Sequence, residues 1–114
     1  MKENILLDKS FQFAVDIVKL YEYLKNEQKE FILSKQLLKS GTSIGANIEE
    51  AIGGYSKKDF KSKLSISYKE ARETKYWLRL LRETNYISEK QLTKMFEQCD
   101  ELCKLLYTSI RTLD

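Results

Sequence analysis

The chain has 114 residues, a formal net charge of +3, and neither proline nor histidine. This length suits a single domain over residues 1–114 that buries one hydrophobic core without disulfides or metal, and no apolar run approaches the about 20 residues that cross a membrane. The start Met-Lys-Glu-Asn lacks the apolar core of a signal peptide, so we expect a cytoplasmic protein. Since the chain has no histidine, which is the commonest general base, we expect a non-enzymatic protein. We also expect no cofactor, metal site or membrane partner.

The first predicted helix runs from about residue 9 to residue 25, with Asp8 or Ser10 as its N-cap. Its apolar residues cover more than half of the circumference, which is wider than a surface helix needs. They are Phe11, Phe13, Ala14, Val15, Ile17, Val18, Leu20, Tyr21 and Leu24.

The second predicted helix spans about residues 30–52, where Gly53 and Gly54 stop it. Its segment of small residues from Ser40 to Asn47 invites comparison with a phosphate-binding loop. It lacks the Gly-Lys-[Ser/Thr] ending of such a loop and lies within a helical pattern. We therefore interpret Gly41 and Gly45, four residues apart on the core side, as positions of close helix packing.

The third predicted helix, residues 56–85, carries three faces at about 100° per residue. One is a core stripe, and a second is a separate apolar face that includes Trp77. The third is basic, with nine Lys or Arg against three Asp or Glu over residues 57–82, a local charge of +6. Glu70 and Glu73 form a Glu-x-x-Glu pair, a spacing typical of ordinary surface groups.

The fourth predicted helix begins at Ser88, with Gln91 placed to complete a capping box. Its apolar stripe is close to a heptad repeat and contains Cys99 and Cys103. We interpret these two as reduced core thiols, because free cysteine is among the most buried residue types. A redox or metal role for the pair, or a small-molecule site in the bundle, stays open as an alternative.

Short links between these segments force successive helices to lie antiparallel, which predicts an all-α, up-down-up-down four-helix bundle. Helices one and three carry more apolar surface than such a bundle buries, so we expect a homo-oligomeric ring. The candidate interface residues are Phe13, Ile17, Ile66, Trp77 and Leu80. Alternatively, Trp77 covers the end of the core of its own subunit.

The basic face of helix three is the candidate site for RNA or DNA. Its candidate residues are Lys58, Lys61, Lys69, Arg72, Lys75, Arg79 and Arg82. Attraction to phosphate needs only a positive surface and counterions to release. Pairs of Lys69 with Glu73 and of Arg79 with Glu83 would neutralise part of this face. The alternative function is a protein-interaction scaffold in which the basic face serves solubility or an acidic partner.

Two segments resemble a known family. Residues 39–51, KSGTSIGANIEEA, and residues 69–81, KEARETKYWLRLL, resemble the four-helix-bundle proteins encoded within 23S rRNA intervening sequences. The resemblance implies an all-helical homopentamer whose molecular role is poorly defined. The family name records where some of the genes lie and implies no ribosomal function.

The chain is also similar, more distantly, to the accessory variability protein of diversity-generating retroelements. That protein is a pentameric basic barrel that binds nucleic acid and reverse transcriptase, so the similarity favours the nucleic-acid hypothesis.

Overall fold

The computed structural model describes residues 2–113, with side chains from residue 5 onward. It contains four helices: α1 (Lys2–Asn26), α2 (Leu33–Ile52), α3 (Lys57–Glu83) and α4 (Glu89–Thr112). Residues 2–113 contain no strand, and the molecule measures 44 × 20 × 19 Å. The prediction of an all-α four-helix protein is confirmed.

Contacts between α2 and α3 show that these two helices run antiparallel. The hydroxyl of Ser67 in α3 donates to the carbonyl of Ile44 in α2 over 2.8 Å. Seven residues later, the hydroxyl of Thr74 donates to that of Ser40 over 2.9 Å. Residue numbers rise along α3 while those of their partners fall along α2, so the two helices point in opposite directions.

Ion pairs also connect α4 to its two neighbours, α3 and α1. Lys75 of α3 lies 3.0 Å from Asp100 of α4, and Lys9 of α1 lies 3.2 Å from Glu101 of α4. The helices therefore contact one another in cyclic order, and the contact between α1 and α4 is the least extensive. One hydrophobic core lies between them.

The predicted start of the first helix is wrong, because α1 begins at Lys2 rather than near residue 9. Leu6 is 3% exposed and Ser10 is 1% exposed, so the inward face continues through the proposed cap. The Ser10 hydroxyl donates to the Leu7 carbonyl within the helix instead of capping an end. Burial of Leu6 explains why the helix extends so far.

The second helix begins three residues later than predicted. Lys29 has a φ of 54°, a left-handed conformation that separates α2 from α1. Glu30 is buried, and its carboxylate accepts a hydrogen bond of 2.7 Å from the backbone N–H of Ser34. The helix therefore starts after a turn that is fixed by Glu30.

The remaining helix ends agree with the sequence patterns. α2 ends before Gly53, and the Ser56 hydroxyl accepts from the backbone N–H of Asp59 over 3.0 Å. Ser88 and Gln91 form the reciprocal capping box, with bonds of 2.8 and 3.1 Å. These local cues place the starts of α3 and α4 correctly.

Both glycines in the middle of α2 face α1, as predicted for close packing. Gly41 lies against Ile17, and Gly45 lies against Ser10. Cys99 and Cys103 are buried free thiols, which confirms their assignment to the core.

Candidate nucleic-acid interface

Three of the seven basic candidates converge on one cleft between α3 and α4. Arg72, Lys75 and Arg79 lie on the α4-facing side of α3, where they line a cleft of about 420 Å³ together with Tyr76 and Phe96. Steps of three and four residues bring the three cations onto one helix face. The structure thus gathers part of the predicted basic face into a concave surface.

A second hollow of about 360 Å³ continues from the first, because both contain Arg72 and Lys75. It adds residues from both helices. They are Tyr68, Asp100, Cys103, Lys104, Tyr107 and Thr108. We call the two hollows together the α3/α4 cleft.

Lys75 lies at the centre of the α3/α4 cleft. Its Nζ is 3.0 Å from Oδ1 of Asp100 and 5.0 Å from the centre of the Phe96 ring. Oδ2 of Asp100 is 3.1 Å from Nζ of Lys104. Hydrogen bonds from these two lysines hold the pKa of Asp100 below its ordinary value. Asp100 is the only carboxylate among the cleft residues that the structure describes, against four cations.

Arg72 and Arg79 differ in their surroundings. The guanidinium of Arg72 donates to the Tyr68 hydroxyl over 3.4 Å, which raises the pKa of Arg72. Tyr68 in turn lies 6.0 Å, centre to centre, from the ring of Tyr107 on α4. Arg79 is exposed and has no ion-pair partner among residues 5–113. Both guanidinium groups remain accessible to an anion.

The other four basic candidates do not belong to this cleft. Arg82 pairs with Glu83 of α3 and with Glu89 at the start of α4, so it ties the two helix ends together. Lys58 and Lys69 are exposed outside the cleft, and Lys61 lies about 16 Å along the helix axis from Arg72.

The predicted pairs that would neutralise the basic face are not formed. Glu73 accepts a hydrogen bond of 3.0 Å from the indole N–H of Trp77 instead of pairing with Lys69. Glu83 pairs with Arg82 instead of Arg79. The positive charge of Lys69 and Arg79 is therefore left uncompensated by these carboxylates.

Two of the predicted interface residues are in the wrong place. Phe13 and Ile17 are fully buried in the core of their own subunit, so they are not available to a second one. Besides Ile5, at 44%, the apolar residues that α1 leaves exposed are Phe11, at 70%, and Val18, at 42%. These two lie seven residues apart on one helix face.

On α3, the separate apolar face is partly covered. Ile66 is 40% exposed, whereas Leu80 and Trp77 are half-buried. Trp77 packs against the edge of the core and makes an edge-to-face contact with Tyr76, with ring centres 5.0 Å apart. Trp77 thus contacts its own core while part of its surface stays open.

Cys103 lies at the cleft, one helical turn from Cys99. The Cys99 thiol donates to the Ala71 carbonyl over 3.2 Å. When Cys103 loses its proton, the same thiol can donate to the Cys103 thiolate, which lowers the pKa of Cys103. The positive charges of Lys75 and Arg72 also lower the pKa of Cys103, whereas burial opposes this shift. The hydrogen bond with Cys103 and, after it, burial raise the pKa of Cys99.

The sequence-based reasoning missed the α4 wall of the cleft and the tyrosines of α3. Phe96, Lys104 and Tyr107 lie beside the apolar stripe of α4, at a spacing that returns to one helix flank. These α4 residues form a wall of the cleft only because α4 packs opposite Tyr68 and Tyr76 of α3. The short link between α3 and α4 predicts that they lie antiparallel and side by side, and this was the signal from which the α4 wall could have been found.

The fold and the cleft define a class of protein, the antiparallel four-helix bundle, here with a cationic, aromatic-lined cleft between its last two helices. The family model of 23S rRNA-intervening sequence proteins matches residues 2–108. The chain belongs to the 23S rRNA-intervening sequence protein family.

A solved structure agrees with this assignment. It is a protein of unknown function from the S23 ribosomal protein family of Bacteroides thetaiotaomicron VPI-5482, and it shares 54% sequence identity with a TM-score of 0.96. The alignment covers 97% of this chain and 99% of that one. No curated protein matches the chain. The more distant resemblance to the accessory variability protein stays a prediction.

A helix that crosses a lipid bilayer needs about 20 predominantly apolar residues. Within residues 2–113, no helix is both long enough and apolar enough to span a membrane.

Proposed function

We propose that this chain is a non-enzymatic, cytoplasmic, homo-oligomeric bundle that binds the backbone of RNA or DNA through the basic residues of α3. The observation that carries the proposal is the convergence of Arg72, Lys75 and Arg79 on one cleft. A solvated helix face would leave such charges spread over a convex surface.

The composition of the α3/α4 cleft suits a polyanion. Arginine presents a planar fork of N–H donors that fits phosphate oxygens, and lysine adds a mobile point charge. Asp100 offsets one of the four cations, so the cleft keeps a net positive charge. Contacts of this kind recognise the backbone and carry no base sequence.

Exposed apolar surface supports the oligomeric part of the proposal. Phe11 and Val18 on α1, and Ile66 on α3, expose 40% or more of their surface. The family resemblance implies five subunits. A closed assembly would repeat the cleft once per subunit, and simultaneous contacts along one strand would raise the overall affinity.

Salt dependence tests the proposal most directly. We expect the purified protein to bind a fluorescent oligonucleotide with an affinity that falls steeply between 50 and 200 mM salt, because each phosphate contact releases counterions. Replacement of Arg72, Lys75 and Arg79 by glutamine should weaken binding and reduce the slope of log K against log salt by about 2 to 3.

The matched control replaces Lys19, Lys35 and Lys90, which are exposed outside α3, by glutamine. It removes the same charge and should change binding much less. Light scattering should give the same oligomer mass for all three proteins. Absent or salt-independent binding would overturn the proposal, and equal loss in both variants would show that net charge, rather than the cleft, is responsible.

A second candidate function is a protein-interaction scaffold, which is favoured by the 70% exposure of Phe11. Affinity capture with and without nuclease distinguishes the two functions. A partner that stays bound after nuclease treatment supports the scaffold. A partner that is lost with the nucleic acid supports binding to RNA or DNA.

A further inference from the structure

Aromatic side chains alternate with cations along the α3/α4 cleft. Tyr76 and Phe96 lie at one end, beside Arg79, and Tyr68 and Tyr107 lie at the other, beside Arg72. Tyr76 is 57% exposed and Tyr107 is 49% exposed. Both rings therefore present open aromatic surface within a cationic cleft.

The cations already stand close to the rings. Nζ of Lys75 lies 5.0 Å from the centre of Phe96, and the guanidinium carbon of Arg72 lies 5.9 Å from the centre of Tyr68. A nucleotide offers a phosphate and an aromatic base within one unit. Neighbouring cations and rings are the matching pair of groups on the protein.

The two aromatic ends are separated by a distance that fits a few nucleotides. Tyr107 contacts Tyr68, which lies eight residues before Tyr76 on α3. At a rise of 1.5 Å per residue, the ends are about 12 Å apart along the cleft. With 3.4 Å per stacked nucleotide, this length holds about three to four nucleotides.

A duplex would use these groups poorly. Its bases are paired inside the helix, so they do not offer their faces to Tyr76 or Tyr107. Arg72, Lys75 and Arg79 also face α4 inside the cleft, whereas a wide rod would touch the outer crest of α3. Packed helices touch along their length, so the cleft is a surface groove, and its hollows of about 420 and 360 Å³ suit single nucleotides better than a duplex.

We propose that the α3/α4 cleft binds single-stranded nucleic acid, with phosphates at Arg72, Lys75 and Arg79 and unpaired bases stacked on Tyr76 and Tyr107. This inference rests on the proposed function, since it specifies which form of nucleic acid the same site takes. Stacking accepts any base, so the site has little sequence preference.

Fluorescence anisotropy with a labelled 12-nucleotide oligo-dT and a labelled 12-base-pair duplex tests the proposal. We expect the single strand to bind at least tenfold more tightly than the duplex at equal salt. Replacement of Tyr76 or Tyr107 by leucine removes the ring and keeps the charge, and it should weaken single-strand binding about tenfold. Tyr76→Phe keeps the ring and should weaken binding much less than Tyr76→Leu does.

A tyrosine outside the cleft provides the matched control. Tyr55 is 100% exposed in the link between α2 and α3, so Tyr55→Leu should leave binding unchanged. Circular dichroism should show that each variant is folded, which we expect because the rings at 76 and 107 are largely exposed.

The possible failures are distinguishable. Equal binding of duplex and single strand, with no effect of Tyr76→Leu or Tyr107→Leu, would overturn the single-strand proposal and leave backbone binding intact. Absence of binding to either probe would overturn both proposals. A loss with Tyr55→Leu as large as that with Tyr76→Leu would show that the cleft is not the site.

Discussion

Gly41 of α2 lies so close to Ile17 of α1 that a Cβ atom at position 41 would stand 2.7 Å from Cγ1 of Ile17. Two more side-chain atoms of Ile17 would lie 2.9 Å away. Isoleucine is branched at Cβ and rotates little, so it cannot easily move aside. The approach of α1 to α2 therefore depends on a missing side chain.

Gly41→Ala should lower the free energy of unfolding by about 1 kcal/mol. Overpacking costs about 2 kcal/mol, and the better helix propensity of alanine returns about 1 kcal/mol. Urea unfolding measures the change. Gly53→Ala is the control, since its new Cβ would meet nothing closer than a carbonyl oxygen at 3.7 Å. If Gly41→Ala were neutral, or cost the same in an Ile17→Ala background, the steric explanation would be wrong.

Ser67→Ala should destabilise the bundle by about 1 kcal/mol. The Ser67 hydroxyl is fully buried and donates to the Ile44 carbonyl on another helix. Its removal leaves that carbonyl without this partner. Ser65→Ala, on the same helix, removes a bond only to the carbonyl of Lys61 one turn earlier. Thermal unfolding of the two variants should show a clear loss for Ser67→Ala and almost none for Ser65→Ala.

Asp100 should titrate below the ordinary aspartate value of about 3.9, because Lys75 and Lys104 donate hydrogen bonds to its ionised form. A carboxyl group whose pKa is lower in the folded protein than in the unfolded chain stabilises the fold at pH values above its unfolded-state pKa. That stabilisation is lost as the pH falls through its folded-state pKa. NMR titration of the side-chain carboxyl carbon of Asp100 measures this pKa. Lys75→Gln should raise the midpoint.

The same linkage predicts a pH dependence of stability. Asp100→Asn should lower stability at pH 7, and this effect should shrink as the pH falls through the pKa of the folded carboxyl group. Lys35→Gln, remote from Asp100, should not move the Asp100 midpoint. A midpoint at or above the ordinary value would contradict the ion-pair geometry.

Cys103 should react with iodoacetamide before Cys99 does. Its pKa lies below the ordinary value because of the Cys99 thiol and the nearby cations, whereas that of Cys99 is raised. The thiolate is the reactive form, so the alkylation rate of Cys103 should reach half its maximum at a pH below about 8.5. Peptide mass spectrometry distinguishes the two sites. Cys99→Ala should raise this midpoint, and faster labelling of Cys99 would contradict the assignment.

The sequence allowed the helices and most of their ends to be predicted because the decisive interactions are local. Ser56 and Ser88 cap helices through contacts only three residues away. The start of α1 was missed because Leu6 is held by burial rather than by a cap. The start of α2 was missed because it depends on the left-handed Lys29, which no sequence pattern requires.

The orientation of α1 about its axis was harder to predict. Its apolar arc covers more than half of the circumference, so many inward directions appear equally good. Contact of Gly41 with Ile17 selects one of them, which buries Phe13 and leaves Phe11 outside. Only the α3 side of the cleft was predicted, because the second wall consists of α4 residues that reach the cleft only once α4 packs against α3.

Both walls of the α3/α4 cleft come from consecutive helices that are bridged by Lys75 with Asp100 and by Arg82 with Glu89. All the residues that line the cleft thus lie in one continuous stretch of the chain, from Tyr68 to Thr108. The link between α1 and α2 contributes no residue to the cleft, whereas the link at 84–88 joins its two walls directly. Exposed positions in the first half of the chain can therefore vary without changing the residues that line the groove.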